Sequence, residues 1–207
     1  MMETFFEEET INYARVSGTV SKLLEAMATQ FHYQLSCTPQ MRYIVTVYDS
    51  HTVPDIQLAD YLYRITSMSK CIYRDFVTAL VYVDKLINNE VISGISFHNV
   101  HRLLALSIMT STKFYDDMPY SNKVWSKILG IPLRELNNAE IHFLQSLNYD
   151  LNVDIETMQA WSNDIARFSE ENPVQERQET PEIKHRDQNC SEPNAIAAEL
   201  RSSPIAL

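Results

Sequence analysis

Glycine is scarce in this sequence, which has only Gly18, Gly94 and Gly130, far apart from one another. A loop that cradles phosphate groups needs several glycines close together, because its backbone N–H groups must approach the phosphates. The sequence therefore predicts no ATP site. It also contains no recognisable set of nucleophile and base. We expect a protein that is not an enzyme and that needs no cofactor.

Cysteine is equally scarce, since Cys37, Cys71 and Cys190 are odd in number and widely separated. This usage is typical of reduced thiols in an intracellular protein and argues against a disulfide framework. No apolar run approaches the roughly 20 residues that span a bilayer. The acidic stretch at residues 1–9 is unlike the basic start of a signal peptide. We expect a soluble protein of the cytosol or nucleus that does not bind membranes.

Acidic residues outnumber basic ones, 27 to 17, so the formal net charge is -10. Because an acidic chain repels the phosphate backbone, and no basic stripe offsets this locally, nucleic-acid binding is disfavoured. The last part of the chain, residues 169–207, is rich in proline and charge and has no aromatic residue. Such a segment cannot bury enough apolar surface to offset its ordering entropy, so we expect it to be disordered.

What the sequence does have is apolar residues at helical spacing, with no alternating strand pattern in the middle of the chain. Gly130 predicts a helix stop, and Asp154 predicts a helix N-cap. Five successive helices are predicted at residues 55–68, 73–89, 97–114, 121–129 and 132–148. We predict an all-α fold with one five-helix domain at 54–152. An N-terminal segment (1–53) with an amphipathic helix at about 19–35 and a C-terminal helix (153–168) flank it.

Three charged residues, Asp84, Lys113 and Glu140, interrupt the apolar stripes of these helices. A charge on such a stripe must be paired or hydrogen-bonded, because its desolvation is costly. For Asp84 we predict a structural ion pair inside the bundle, with Arg64 or Arg102.

Two interpretations of Lys113 and Glu140 remain open. They could pair with each other, with their stems buried. Alternatively, they rim an exposed apolar patch that receives a partner helix. The ammonium would then cap free carbonyls of the partner, and the carboxylate would accept free N–H groups.

Several spaced motifs resemble the cyclin box. Tyr-Val-Asp-Lys-Leu at 82–86 is similar to the signature of its second helix. Ser-Thr-Lys-Phe-Tyr-Asp-Asp at 111–117 resembles the end of its third helix, and residues 135–151 resemble its fifth. Within the family, the segments at 60–65, 99–104 and 120–125 resemble the P/U-type, or phosphate-pathway, cyclins.

The resemblance implies a single cyclin box and a regulatory subunit that binds and activates a cyclin-dependent protein kinase. The process would be cell-cycle progression or nutrient (phosphate) signalling. Lys113 and Glu140 match the family's Lys–Glu pair, which grips the backbone beside the regulatory C-helix of the kinase. Phe114 would add apolar surface there. We hypothesise that Asp116 and Asp117 meet arginines of the kinase activation segment; the alternative is a solvated acidic loop.

Other sequence features give weaker evidence about function. Residues 54–61 lack the Arg and Trp of the family's substrate-docking patch, so we do not expect docking of R-x-L substrates. His98 and His101 hint at a metal site, but no Cys or carboxylate cluster joins them, and we predict a structural role. An alternative function is a cyclin-fold adaptor of the transcription machinery. Minimal proline-directed phosphorylation sites occur at Thr38-Pro39, Thr180-Pro181 and Ser203-Pro204.

Overall fold

The computed structural model describes residues 13–38, 40–69 and 71–173, and within them it contains seven helices and no strand. The all-α fold predicted from the sequence is therefore confirmed for the described part of the chain. No helix in these residues has the length and apolar content needed to cross a membrane. In chain order the helices are α1 (Tyr13–Cys37), α2 (Leu58–Met68), α3 (Tyr73–Asn88), α4 (Val100–Tyr115), α5 (Asn122–Leu129), α6 (Leu133–Ser146) and α7 (Ile155–Glu171).

The five central helices, α2 to α6, begin and end close to their predicted positions, whereas the two flanking helices are longer than predicted. Helix α1 begins at Tyr13 rather than at 19, and α7 ends at Glu171 rather than at 168. Helix α1 contacts α7 where the Thr19 hydroxyl donates to Ser169 Oγ at 3.4 Å. Helix α7 thus takes in 169–171 of the segment predicted to be disordered. That prediction, from residue 174 onwards, lies outside the described residues.

Helix α4 is the central element of the bundle. Every residue from Leu103 to Thr112 is buried, as expected for a helix that is covered on all sides. Two of its buried hydroxyl groups bond to the helix backbone: Ser107 donates to the Leu103 carbonyl at 2.7 Å, and Thr112 donates to the Ile108 carbonyl at 2.9 Å. These bonds satisfy polar groups that burial would otherwise leave unpaired.

An aromatic cluster attaches α6 to the rest of the bundle. Phe143 of α6 packs edge-on against Tyr48, at 6.1 Å between ring centroids, and against Tyr82 of α3, at 6.3 Å. The tyrosine hydroxyls reach polar partners at Ser146 Oγ (3.0 Å) and at the Leu151 carbonyl (2.7 Å), respectively. Buried aromatic pairs with satisfied hydroxyls give a well-defined packing, so this cluster fixes the position of α6.

Gly130 ends α5 in the left-handed conformation, with φ 69°, as the sequence predicted. A Cβ at this position would come no closer than 3.8 Å to any neighbour, the guanidinium of Arg64, so only the backbone conformation disfavours a side chain. We expect Gly130→Ala to lower the free energy of unfolding by about 1 kcal/mol. Gly130→Asn should cost less, because Asn tolerates this conformation. Urea denaturation measures both, and equal losses would contradict the explanation.

The prediction of an ion pair between Asp84 and Arg64 is wrong. The Arg64 guanidinium donates to the Lys127 carbonyl near the end of α5 at 2.9 Å. Asp84 is partly exposed and accepts a hydrogen bond from the Asn88 amide, one turn along the same helix, at 2.9 Å. Arg102, the other cation considered, pairs with Glu135 at 2.5 Å. Because Asp84 reaches water and a local donor, it needs no cation from another helix.

Candidate functional site

Lys113 and Glu140 meet at the surface of the bundle. Lys113 lies in the last turn of α4, Glu140 lies in the middle of α6, and the Lys113 ammonium contacts Glu140 Oε1 directly. The two side chains keep 27% and 16% of their surface exposed. The pair is therefore accessible from outside rather than enclosed in the core.

Asn122, the first residue of α5, connects this pair to a third helix. Its Oδ1 accepts from Lys113 Nζ at 2.8 Å, and its amide nitrogen donates to Glu140 Oε2 at 2.6 Å and to Asn137 Oδ1 at 2.8 Å. Both amide hydrogens and the carbonyl oxygen are thus used, which defines the orientation of the amide. The network holds α4, α5 and α6 in a fixed relation.

The two interpretations that the sequence left open are compatible in this geometry. The charges do pair with each other, and they do so at an accessible position. A lysine ammonium has three N–H donors. Glu140 and Asn122 take two of them, and the third has no partner among the described residues. The pair is consequently preformed, yet it retains the capacity to bind a further group.

Each of the paired charges is followed in the sequence by an exposed apolar side chain. Phe114 directly follows Lys113 and is 46% exposed, with its ring edge-on to Tyr115. Ile141, beside Glu140 on α6, is 52% exposed. Protein–protein interfaces combine exposed apolar groups with a few fixed polar groups, and these elements of the surface supply both. We call this surface the α4–α6 face and define it by Lys113, Phe114, Asn122, Asn137, Glu140 and Ile141.

Asp116 and Asp117 follow α4 immediately. Asp116 Oδ1 accepts from the Met118 N–H at 3.0 Å, and Asp117 is exposed. Both carboxylates lie at the negative end of the helix dipole, where acidic residues are unfavourable. Stability of α4 therefore does not explain why two acidic residues occur here.

A buried carboxylate, Asp75, fixes the other side of the α4 terminus. It accepts from the Ser111 hydroxyl at 2.8 Å and from the Ile72 N–H at 2.9 Å. Burial raises the pKa of Asp75. Its neighbour Arg74 lies over the ring of Tyr115, with 4.4 Å from guanidinium carbon to ring centroid. These contacts join the start of α3 to the last turn of α4, the turn that carries Lys113.

Sequence reasoning identified Lys113, Glu140, Phe114, Asp116 and Asp117 as kinase-binding residues. The structure brings Lys113 and Glu140 together, and the other three directly follow Lys113 or the end of α4. Sequence reasoning missed Asn122, Asn137 and Tyr149. For Asn137 a signal existed, since it lies three residues before Glu140 on the same side of α6.

Tyr149 adds an exposed aromatic ring just beyond α6. Its exposed fraction is 65%, and its φ is 58°, directly after Asn148 with φ 51°. A positive φ is rare for a bulky residue and is retained only where the surroundings require it. Here the Tyr149 N–H donates to the Leu144 carbonyl at 2.9 Å. The ring is thus held outward beyond the end of the helix that carries Glu140.

The two histidines considered as metal ligands contact backbone carbonyls instead. A ring nitrogen of His98 lies 3.1 Å from the Ser50 carbonyl, and one of His101 lies 3.0 Å from the Ile56 carbonyl. The described residues contain no group of three or more His, Cys, Asp or Glu arranged to hold a metal ion. Both histidines attach the segment before α2 to the start of α4.

Burial lowers the pKa of His101 below its ordinary value of 6.5. On acidification the unfolded chain therefore binds a proton at this position before the folded chain does, and folding loses free energy as the pH falls below about 6.5. We expect His101→Gln to remove part of this loss. Urea midpoints measured at about pH 7.5 and about pH 5.5 should differ less for the variant than for the wild type. Equal differences would contradict the prediction.

The family model described as Cyclin matches residues 6–151 of the chain. Cyclin-U4-1 of Arabidopsis thaliana is 35% identical over 148 residues, which cover 72% of this chain and 73% of that protein. Cyclin-U4-3 of the same plant is 36% identical over 106 residues, or 51% of this chain and 48% of that protein. Cyclin-P4-1 of Oryza sativa subsp. japonica is 36% identical over 109 residues, or 53% and 51%. The match thus spans about half the length of the last two relatives.

Proposed function

The chain belongs to the cyclin family, whose members are regulatory rather than catalytic, and we propose that it binds a cyclin-dependent protein kinase and activates it. The observation that carries this proposal is the α4–α6 face. A preformed network of Lys113, Glu140 and Asn122 lies there beside exposed Phe114 and Ile141. Such a network binds without first having to order its side chains, which favours affinity.

The partner element that fits this face is a helix end next to an apolar helix surface. Helix ends leave carbonyl and N–H groups without intrahelical partners. Lys113 donates its remaining hydrogen to such a carbonyl, and Glu140 accepts from such an N–H group. Phe114 and Ile141 cover apolar side chains of the same helix. In a kinase, the element of this description is the regulatory C-helix.

Asp116 and Asp117 extend the interaction beyond the helix. We propose that they bind arginines of the kinase activation segment. Their position at the unfavourable end of the α4 dipole supports this proposal, because an arginine from a partner would relieve the repulsion there.

Activation follows from selective binding. An active kinase requires its C-helix to lie inward, so that the conserved lysine–glutamate pair of the kinase forms. A cyclin activates it only by binding this conformation more tightly than the inactive one. To convert a kinase that is about 1% active into one that is about 99% active, the difference must reach about 5.5 kcal/mol. A single ion pair does not supply this, which is why the apolar groups and the acidic loop are included.

The test is capture of the partner by the tagged full chain from its native cell, followed by mass spectrometry and a kinase assay. We expect a cyclin-dependent kinase in the bound fraction, and we expect the purified chain to increase the activity of that kinase when the two are mixed. Failure to bind or to activate any such kinase would contradict the proposal. Depletion of the chain then separates the two proposed processes, through cell-cycle arrest or an altered response to phosphate starvation.

A further inference from the structure

Thr38 is the first residue after α1, and Pro39 follows it in the sequence. Its side chain is exposed, and its hydroxyl has no hydrogen bond to any of the residues that the structure describes. The Thr38 N–H completes the last turn of the helix by donating to the Gln34 carbonyl at 3.0 Å. The Thr38 carbonyl accepts from the Met41 N–H at 2.9 Å.

We propose that Thr38 is phosphorylated by proline-directed protein kinases and that the phosphate unwinds the last turn of α1. In the reaction Thr38 Oγ1 attacks the γ-phosphorus of MgATP, and the bond between that phosphorus and the β,γ-bridging oxygen breaks. The hydroxyl proton passes to the base of the kinase, and ADP leaves. Kinases of this class require a proline directly after the acceptor, and Pro39 provides it. Of the three such dipeptides, only this one has its acceptor within the described residues.

The negative charge of the phosphate is what should unwind the last turn of α1. Helix α1 has 25 residues and no basic residue in its last turn. A phosphothreonine carries about -1.5 to -2 charges at neutral pH, and the helix dipole disfavours negative charge at this end. The hydrogen bond from Thr38 to Gln34 is therefore weakened. Arg42, which is exposed four residues further on, is the nearest cation along the chain. Because Arg42 follows the helix in the sequence, we expect it to attract the phosphate away from the last turn.

Packing limits how far the unwinding extends. Phe31, two turns before Thr38, is buried and packs against Tyr43 at 6.1 Å between ring centroids. Its ring also lies so close to Gly94 that no Cβ would fit between them. Tyr43 in turn bonds to Ser96 Oγ at 2.8 Å. The helix is thus anchored at Phe31, and unwinding should be confined to the residues after it.

The first measurement is phosphate incorporation. We use the full chain with Thr180→Ala and Ser203→Ala, so that Thr38-Pro39 is the remaining proline-directed dipeptide, together with a purified proline-directed kinase and MgATP. Mass spectrometry should find one phosphate, on the peptide that contains Thr38. Thr38→Val should abolish it, and so should Pro39→Ala, which keeps the hydroxyl. A standard peptide substrate confirms that the kinase is active. The result does not depend on the proposed function, because the kinase is supplied.

The second measurement is amide hydrogen exchange of the phosphorylated and unmodified protein. Amides at residues 35–38 should exchange about two- to fivefold faster after phosphorylation, the factor that corresponds to a helix-end charge effect. Amides at 28–31 should not change and serve as the internal control. Lack of phosphate on Thr38, or equal phosphorylation of Pro39→Ala, would overturn the modification site. A phosphorylated chain whose amides at 35–38 exchange at the same rate or more slowly would overturn the unwinding.

Discussion

Glu140→Ala is expected to weaken binding of the proposed partner kinase by about 2 kcal/mol, or roughly 30-fold in Kd. Both carboxylate oxygens of Glu140 are engaged, one by Lys113 and one by Asn122. Their loss leaves the lysine cation held by Asn122 alone and removes the acceptor for the partner's N–H groups. Truncating one member of a charge pair that becomes buried on binding commonly has effects of this size. Titration calorimetry with the purified kinase measures the change.

Glu135→Ala is the matched control. Glu135 lies on the same helix, α6, and forms an ion pair with Arg102 of the same partner helix, α4, at 2.5 Å. It does not belong to the α4–α6 face. Since an exposed pair of this kind contributes about 1 kcal/mol of stability at most, the variant should fold normally and bind the kinase as the wild type does. If both variants bind equally well, or lose affinity equally, the role assigned to Glu140 is wrong.

Lys113→Ala should have an effect similar to that of Glu140→Ala, and the double variant should show less than the sum. Residues in one hydrogen-bond network are not independent, because the second substitution removes contacts that the first has already broken. A fully additive double variant would mean that the two side chains bind the kinase separately. The network around Asn122 would then have no part in recognition.

The sequence predicted α2 to α6 well because the information needed is local: large apolar residues recur at helical spacing on each of them. The start of α1 was missed for a physical reason. The face that packs there contains the small polar residues Ser17, Thr19 and Ser21, all of them buried. A pattern of large apolar side chains does not mark such a face. One of these residues, Thr19, bonds to Ser169 of α7, which is distant in the sequence.

The candidate site could likewise be predicted from the sequence only in part. Lys113 and Glu140 were recognisable because each interrupts an apolar stripe and because the surrounding motifs resemble those of cyclins. Asn122 was not, since its role depends on how α5 is placed against α4 and α6. The Asp84–Arg64 pair failed for a related reason: charge pairing between helices depends on their relative rotation, and Asp84 had a donor, Asn88, within its own helix.

Phe143→Ala is expected to lower the free energy of unfolding by about 3–5 kcal/mol, the usual cost of removing a fully buried phenyl ring. Phe143 has no exposed surface and packs against both Tyr48 and Tyr82. Its removal opens a cavity where α6 is attached to α3 and to the segment before α2. Urea denaturation at neutral pH measures the loss. A loss below about 1 kcal/mol would mean that this cluster does not fix the position of α6.

Ile141→Ala, only two residues away, should behave in the opposite way. Ile141 is 52% exposed, so its truncation should change stability by no more than about 0.5 kcal/mol. It should nevertheless weaken kinase binding, because the side chain belongs to the α4–α6 face. Phe143→Ala should affect kinase binding only by displacing α6. Its effect on binding should therefore become smaller under conditions that stabilise the fold, whereas the effect of Ile141→Ala should stay the same. Comparing these two variants of one helix therefore distinguishes a residue that holds the site in place from a residue that binds the kinase.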